Sequence, residues 1–149
     1  MYEFVKHAHS GLRWVVLILL VVAIINAFIK RSGGSLYPGK DKFALFAMIS
    51  VHIQLLLGLL LYLWLSSDKV VTFSENTMSN ATIRFYTVEH LVGMLLGIAL
   101  VTIGYSKAKR QAQINKGWKT IGVFYLLGLV VILVSIPWPF REELGGAWF

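Results

Sequence analysis

No cysteine occurs among the 149 residues. Disulfides, thiolate zinc sites, iron–sulfur clusters and haem attached through C-x-x-C-H are therefore excluded. Acidic residues are scarce, seven against 14 basic ones, for a formal charge of +7. Such an excess is one signature of nucleic-acid binding. Here the bases fall in short blocks between apolar runs, so they read as membrane-topology signals and no nucleic-acid partner is expected. The apolar runs hold no embedded methionine series, which counts against copper(I) transport. No constellation of residues commits the chain to a chemical transformation, so an electron carrier or a subunit is expected in preference to an enzyme.

What is abundant is apolar. A hydrophobic share of 57% and a mean hydropathy of +0.71 are too high for a soluble globule of one-domain size. Four stretches, near residues 8–29, 43–65, 83–106 and 118–138, can each cross about 30 Å of hydrocarbon, which takes roughly 20 helical residues. Each must be helical, because backbone amides find no water in lipid. The first is too long for a cleavable signal peptide and lacks a small-residue cleavage site. Short connectors between antiparallel neighbours predict one all-α transmembrane domain, an up-down-up-down four-helix bundle with the lipid bilayer as its surroundings.

The charges set a direction. The loop between spans one and two carries Lys30, Arg31, Lys40 and Lys42, and that between spans three and four carries Lys107, Lys109, Arg110 and Lys116, with Lys119 just beyond. The other loop and the ends hold Glu3, Asp68, Glu75, Glu89, Glu142 and Glu143. The positive-inside rule then places the basic loops in the cytoplasm and both termini outside, in a bacterial-type inner membrane. Interfacial aromatics are expected at Trp14, Trp64, Tyr86 and Trp138 on the outer side and at Tyr37, Tyr105 and Trp118 on the inner side.

Two histidines lie where ionisable groups are rare. His52 sits within AMISVHIQLLLGLLL, roughly 15 Å from the cytoplasmic end of span two, and His90 in TVEHLVGMLLG lies about 24 Å above that end of span three, both at helical rise. A neutral histidine can simply bond across helices, for about 0.6 kcal/mol. Embedded ionisable groups nonetheless mark functional sites by default, and His7 and His9 stand at one membrane entrance. Counting by three and four from His90 gives Gly93, Gly97, Val101 and Gly104 on one face. Gly93-Met-Leu-Leu-Gly97 is a GxxxG helix-packing signal, compatible with a homo-oligomer or a place in a larger complex. A histidine continuing a glycine stripe also suits a planar macrocycle, which needs an axial imidazole and turns without side chains.

Four-span bundles with inward histidines are the frame of b-type cytochromes. HAHSGLRW, VHIQLLLGLLLY, the Glu89-His90 pair and the closing IPWPFR resemble a family of small four-span membrane proteins grouped as cytochrome-b-like, over nearly the whole chain. The resemblance implies haem b, electron passage between a quinol and another redox partner protein, and His9, His52 and His90 as the family's histidines, with Arg13 in the HSGLRW segment.

His90 is then the first expected ligand, and its partner is open. Side chains lean toward their helix N-terminus, so His9 and His90 lean alike, which favours His9, whereas depth in the bundle favours His52. His7 and His9, about 200° apart on a helix, cannot both face inward. Arg13, one turn after His9, has three expected roles: an ion pair with Glu89, a cationic partner for a haem propionate, or a side chain reaching to the interface. Two readings of other classes stand beside haem. One is copper or zinc on His7, His9, Glu89 and His90; the other is a structural or assembly subunit whose histidines serve only packing.

Overall fold

The computed structural model describes residues 1–63, 77–144 and 148. Four long helices account for most of them: α1 (Tyr2–Ser32), α2 (Lys42–Leu63), α3 (Ala81–Lys109) and α4 (Lys116–Ser135). A short 3-10 turn, Glu142–Leu144, comes after them. All four helices are long and apolar enough to cross a membrane, so the chain is an all-helical, multi-pass membrane protein. Trp64, Asp68 and Glu75, and the last two residues of the expected second span, lie outside the described residues.

Each helix starts and stops for a local reason. Asp41 Oδ1 accepts the Ala44 amide at 2.9 Å and so caps α2, while Asn80 Oδ1 accepts the Ile83 amide at 3.0 Å at the head of α3. These side chains satisfy amides that a helix N-terminus leaves without partners. α1 gives way at Gly33, whose amide bonds the Ile29 carbonyl at 3.0 Å, and Gly34 takes φ +71°. α4 stops where Ile136 turns extended, at φ −77° and ψ 133°, as a residue preceding proline must. α1 begins six residues before the expected boundary. His7 does not end the helix, because it is exposed, and Arg13 does not, because its guanidinium finds the Trp148 carbonyl.

α1 packs against α2 and α4, and α3 against α4 and, more lightly, α2. The contacts are made by small residues. Ala23 and Ala27 on α1, Ala44 and Ala47 on α2, and Ala108 on α3 are fully buried. This is how helices approach closely in lipid, where apolar surface gains nothing by leaving one greasy medium for another. The most enclosed span is α4, with 50% of its apolar window buried against 22% in α2. Exposed Ile18, Ile25, Ile53, Leu56, Leu96 and Val130 form the lipid-facing surface.

Glycines make the α3–α4 seam. A Cβ on Gly97 would meet Ile132 Cγ1 at 2.7 Å and the Gly128 carbonyl at 3.2 Å. A Cβ on Gly128 would in turn meet Val101 Cγ2 at 2.8 Å and the Gly97 carbonyl at 3.0 Å. Gly93 seats Ser135, and Gly104 seats Phe124. The stripe that suits a macrocycle face in sequence is thus filled by α4.

The basic end is tied by its loops. The Gln113 amide donates to the Tyr37 carbonyl at 2.7 Å, and Asn115 Nδ2 donates to Ser35 O at 2.9 Å and Arg31 O at 3.2 Å. Tyr37 stands edge-on to Trp118, centroids 4.9 Å apart, over the bare backbone of Gly117. Tyr37, Tyr105 and Trp118 are therefore buried, a correction to their expected place in an interfacial belt. Hydrophobic character alone does not tell a lipid-facing ring from one that locks two loops together.

Gly97→Val tests the seam. It should destabilise the protein by about 1–3 kcal/mol through overpacking, measured by denaturant unfolding in detergent. Gly11→Ala, where a Cβ meets nothing within 4 Å, should be neutral or stabilising by up to about 1 kcal/mol.

Candidate functional site

The PWP sequence at the end of α4 sets the site. In a helix, the carbonyls of Leu133 and Ser135 would receive the amides of residues 137 and 139, and both of these are proline, which has no N–H. Side chains take their place. Trp138 Nε1 donates to Leu133 O at 2.8 Å, and His90 Nδ1 donates to Ser135 O at 2.7 Å. Arg141 Nη1 reaches Val134 O at 3.4 Å. A carbonyl only accepts, so His90 must carry its proton on Nδ1, which leaves Nε2 bare.

His9 faces His90 across the bundle. Their ring centroids are 6.4 Å apart at 75°. Because α1 is helical from Tyr2 onward, His7 and His9 point in different directions. His7 is exposed, with Nε2 3.8 Å from Glu3 Oε2. His9 lies against the backbone of α2 at Gly58, where an added Cβ would stand 3.1 Å from its Cε1. Gln54 Nε2 donates to the His9 carbonyl at 2.8 Å, and His9 Nδ1 is enclosed without a hydrogen-bond partner.

A π-helical turn, Phe85–Glu89, runs directly into His90. Turns of this kind insert one extra residue and so re-aim the side chains of the next turn. The Phe85 ring lies 6.0 Å from that of His90, and Tyr62 Oη donates to the Thr87 carbonyl at 3.2 Å, tying α2 to the turn.

His52 belongs elsewhere. Its Nδ1 donates to Met48 O at 2.7 Å, and Thr102 Oγ1 lies 3.4 Å from its Nε2. Thr102 comes 12 residues after His90 in α3, roughly 18 Å away at helical rise. Of the embedded histidines, then, the fold brings His9 to His90 and keeps His52 apart.

Arg13 has a partner other than those expected. Its Nη2 donates to the Trp148 carbonyl at 2.8 Å, and Trp14 Nε1 donates to the same oxygen at 3.1 Å. The guanidinium lies 5.5 Å and 5.7 Å from the rings of Trp14 and Trp138, and Trp14 stacks on Trp148 at 6.2 Å. Glu89 is instead held by Arg84 Nε at 2.7 Å, because the π turn brings these two residues of one helix together. The four-residue metal set is corrected accordingly. His7 and Glu89 are turned to other partners, and among the described residues no three His, Asp or Glu side chains converge on one point.

Two imidazoles on opposite sides of one metal, with bonds of about 2 Å, stand with centres roughly 6 Å apart, and the His9–His90 separation meets that. The Ser135 carbonyl behind His90 is the backing that metal-bound imidazoles usually have. The His9–His90 separation thus leaves room for one metal atom between the rings, whereas Gly93 and Gly97 supply packing and no slot. Compared with protein-family models, curated proteins and solved structures, the chain matches none. Fold and surface together define its class, a multi-pass helical membrane protein.

Gln54, Phe85 and Trp148 are site residues that sequence reasoning missed, whereas Ser135 stands in the stripe Gly122, Tyr125, Gly128, Ile132 and Ser135 that the sequence of the fourth span displays. The readable signal was PWP, since two prolines in alternate positions after a helix free two carbonyls for side chains. The clasp on Trp148 is open to test. Arg13→Ala combined with Trp14→Phe should make carboxypeptidase release of Trp148 at least about tenfold faster, by loss of one charged and one neutral hydrogen bond, with helix content unchanged.

Proposed function

We propose that the chain is a b-type haem protein that passes electrons between a quinol and a second redox partner, with His9 and His90 as the residues that would hold the haem iron. The observation that carries this is the imidazole pair at 6.4 Å, one member locked by Ser135 with Nε2 bare. Haem, when bound, would supply one-electron exchange, which suits a carrier. The chain's own part is to fix one tautomer, keep both rings in a dry interior and set the charge nearby. Arg13 supplies that charge at the rim. The same reading makes the bundle up-down-up-down in a bacterial-type inner membrane, with the basic loops in the cytoplasm and both termini outside. The block distribution of the bases supports it.

A second reading keeps the pair and changes the occupant. The filled glycine seats favour a bare copper ion on the two imidazoles over a macrocycle. Zinc, which takes four ligands in structural sites, fits two donors less well. Elemental analysis of the purified protein separates copper from haem iron.

Oxidised and dithionite-reduced absorption spectra are the test. Wild type should show a Soret band and sharpened visible bands on reduction. His90→Ala and His9→Ala should each lose them, and His52→Ala should keep them. Arg13→Ala should keep the spectrum with a lowered midpoint potential, since a nearby cation stabilises the reduced, more negative form. A folded protein that neither carries nor takes up haem or copper would leave the histidines as packing residues.

Orientation has its own test. A reporter fused after Phe149 should be active only outside the cytoplasm, and activity confined to the cytoplasm would reverse it.

A further inference from the structure

Four cations of the basic end gather along the seam between α1 and α4. Phe28 of α1 lies against Gly122 of α4, where an added Cβ would stand 3.0 Å from Phe28 Cζ. One turn toward the basic end, Arg31 comes after Phe28 on α1, and Lys119 precedes Gly122 on α4, each on the same face as its neighbour. Asn115 then crosses the seam to the Arg31 carbonyl at 3.2 Å, which brings Lys116 to the same edge. Lys30 stands beside Arg31.

All four side chains are exposed. Among the described residues, the ion pairs join other groups, and no carboxylate lies within ion-pair distance of any of the four. Asp41, the acid at this end, uses Oδ1 on the Ala44 amide and Oδ2 on Asn26 Nδ2, at 2.9 Å and 3.3 Å. The loop ties hold the cations in place, so their mutual repulsion is not relieved by moving apart. Such a cluster calls for an anion.

Position says which anion. The four bases close α1 and open α4, and the surface continues directly into exposed Ile25, Ile29, Val123 and Leu126. A ligand with a phosphate at the cations would find an apolar face for its chains immediately below. A water-borne anion would have no use for that face. Tyr37 and Trp118, which would anchor this end as interfacial rings, are buried between the loops, so the hold on the headgroup layer here is ionic.

We propose that the seam formed by Arg31, Lys116 and Lys119, with Lys30, binds the phosphodiester headgroup of an acidic phospholipid. The site lies at the opposite end from the histidine pair and does not depend on what that pair holds.

The test titrates phosphatidylglycerol against the full-length protein in neutral detergent micelles, read by native mass spectrometry. Neutralising the seam with Arg31→Gln, Lys116→Gln and Lys119→Gln together should weaken binding about a hundredfold, at about 1 kcal/mol for each cation near the lipid surface. Neutralising Lys40, Lys42 and Lys109 removes equal charge away from the seam and should weaken it less than about threefold. Lys119→Gln alone should cost about fivefold, and reads the same site should the triple variant fail to fold. Equal loss in the seam and control variants would mean diffuse attraction and overturn the proposal, as would no loss in a seam variant of unchanged helicity. Displacement of the lipid by equimolar inorganic phosphate, or tighter binding of polyglutamate than of phosphatidylglycerol, would also overturn it, by showing a site for soluble anions or acidic protein.

Discussion

The accounting of backbone carbonyls at the end of α4 governs much of the structure. In hydrocarbon every carbonyl must find a donor within the protein, and Pro137 and Pro139 withhold two. Trp138 and His90 supply them from their side chains. One of these bonds turns the chain back over the end of the bundle. The other joins α3 to α4 at a set height and decides which nitrogen of His90 carries a proton. A requirement of membrane folding and the choice of tautomer at His90 are thus met by one hydrogen bond.

The glycine seam extends the same register. With Gly93 against Ser135 and Gly97 against Gly128, α3 cannot slide along α4 without driving side chains into backbone. That holds His90 opposite Ser135 more firmly than a single hydrogen bond would. The two ends of the bundle are then closed by different means. At one end loops interlock through Tyr37, Trp118 and Asn115, with the cations outermost. At the other, aromatic rings and Arg13 gather around a single carbonyl.

The parts legible in the sequence were those set by composition over a long window. Four apolar runs specify four helices whatever their partners. The site was legible only in part. His52 and His90 stood out because ionisable groups are costly in lipid, and the like lean of His9 and His90 left His9 and His52 as alternative partners for His90. The bond from Arg13 to Trp148 could not be foreseen, because the two lie 135 residues apart and no local pattern announces it. The π turn was invisible, since one inserted residue leaves the apolar period of the flanking helix nearly unchanged. Tyr37 and Trp118 were misplaced for the opposite reason. Their chemistry suits an interface, and only the tertiary approach of two loops, permitted by Gly117, takes them inside.

The clasp on Trp148 has a consequence for the order of events during synthesis. Trp14 and the carbonyl it binds are separated by 134 residues, with three helices between them. The first helix is made early, but Arg13 and Trp14 cannot reach this carbonyl until α4 and the segment beyond it have been made. A chain halted before Trp148 would lack the carbonyl that Arg13 and Trp14 share.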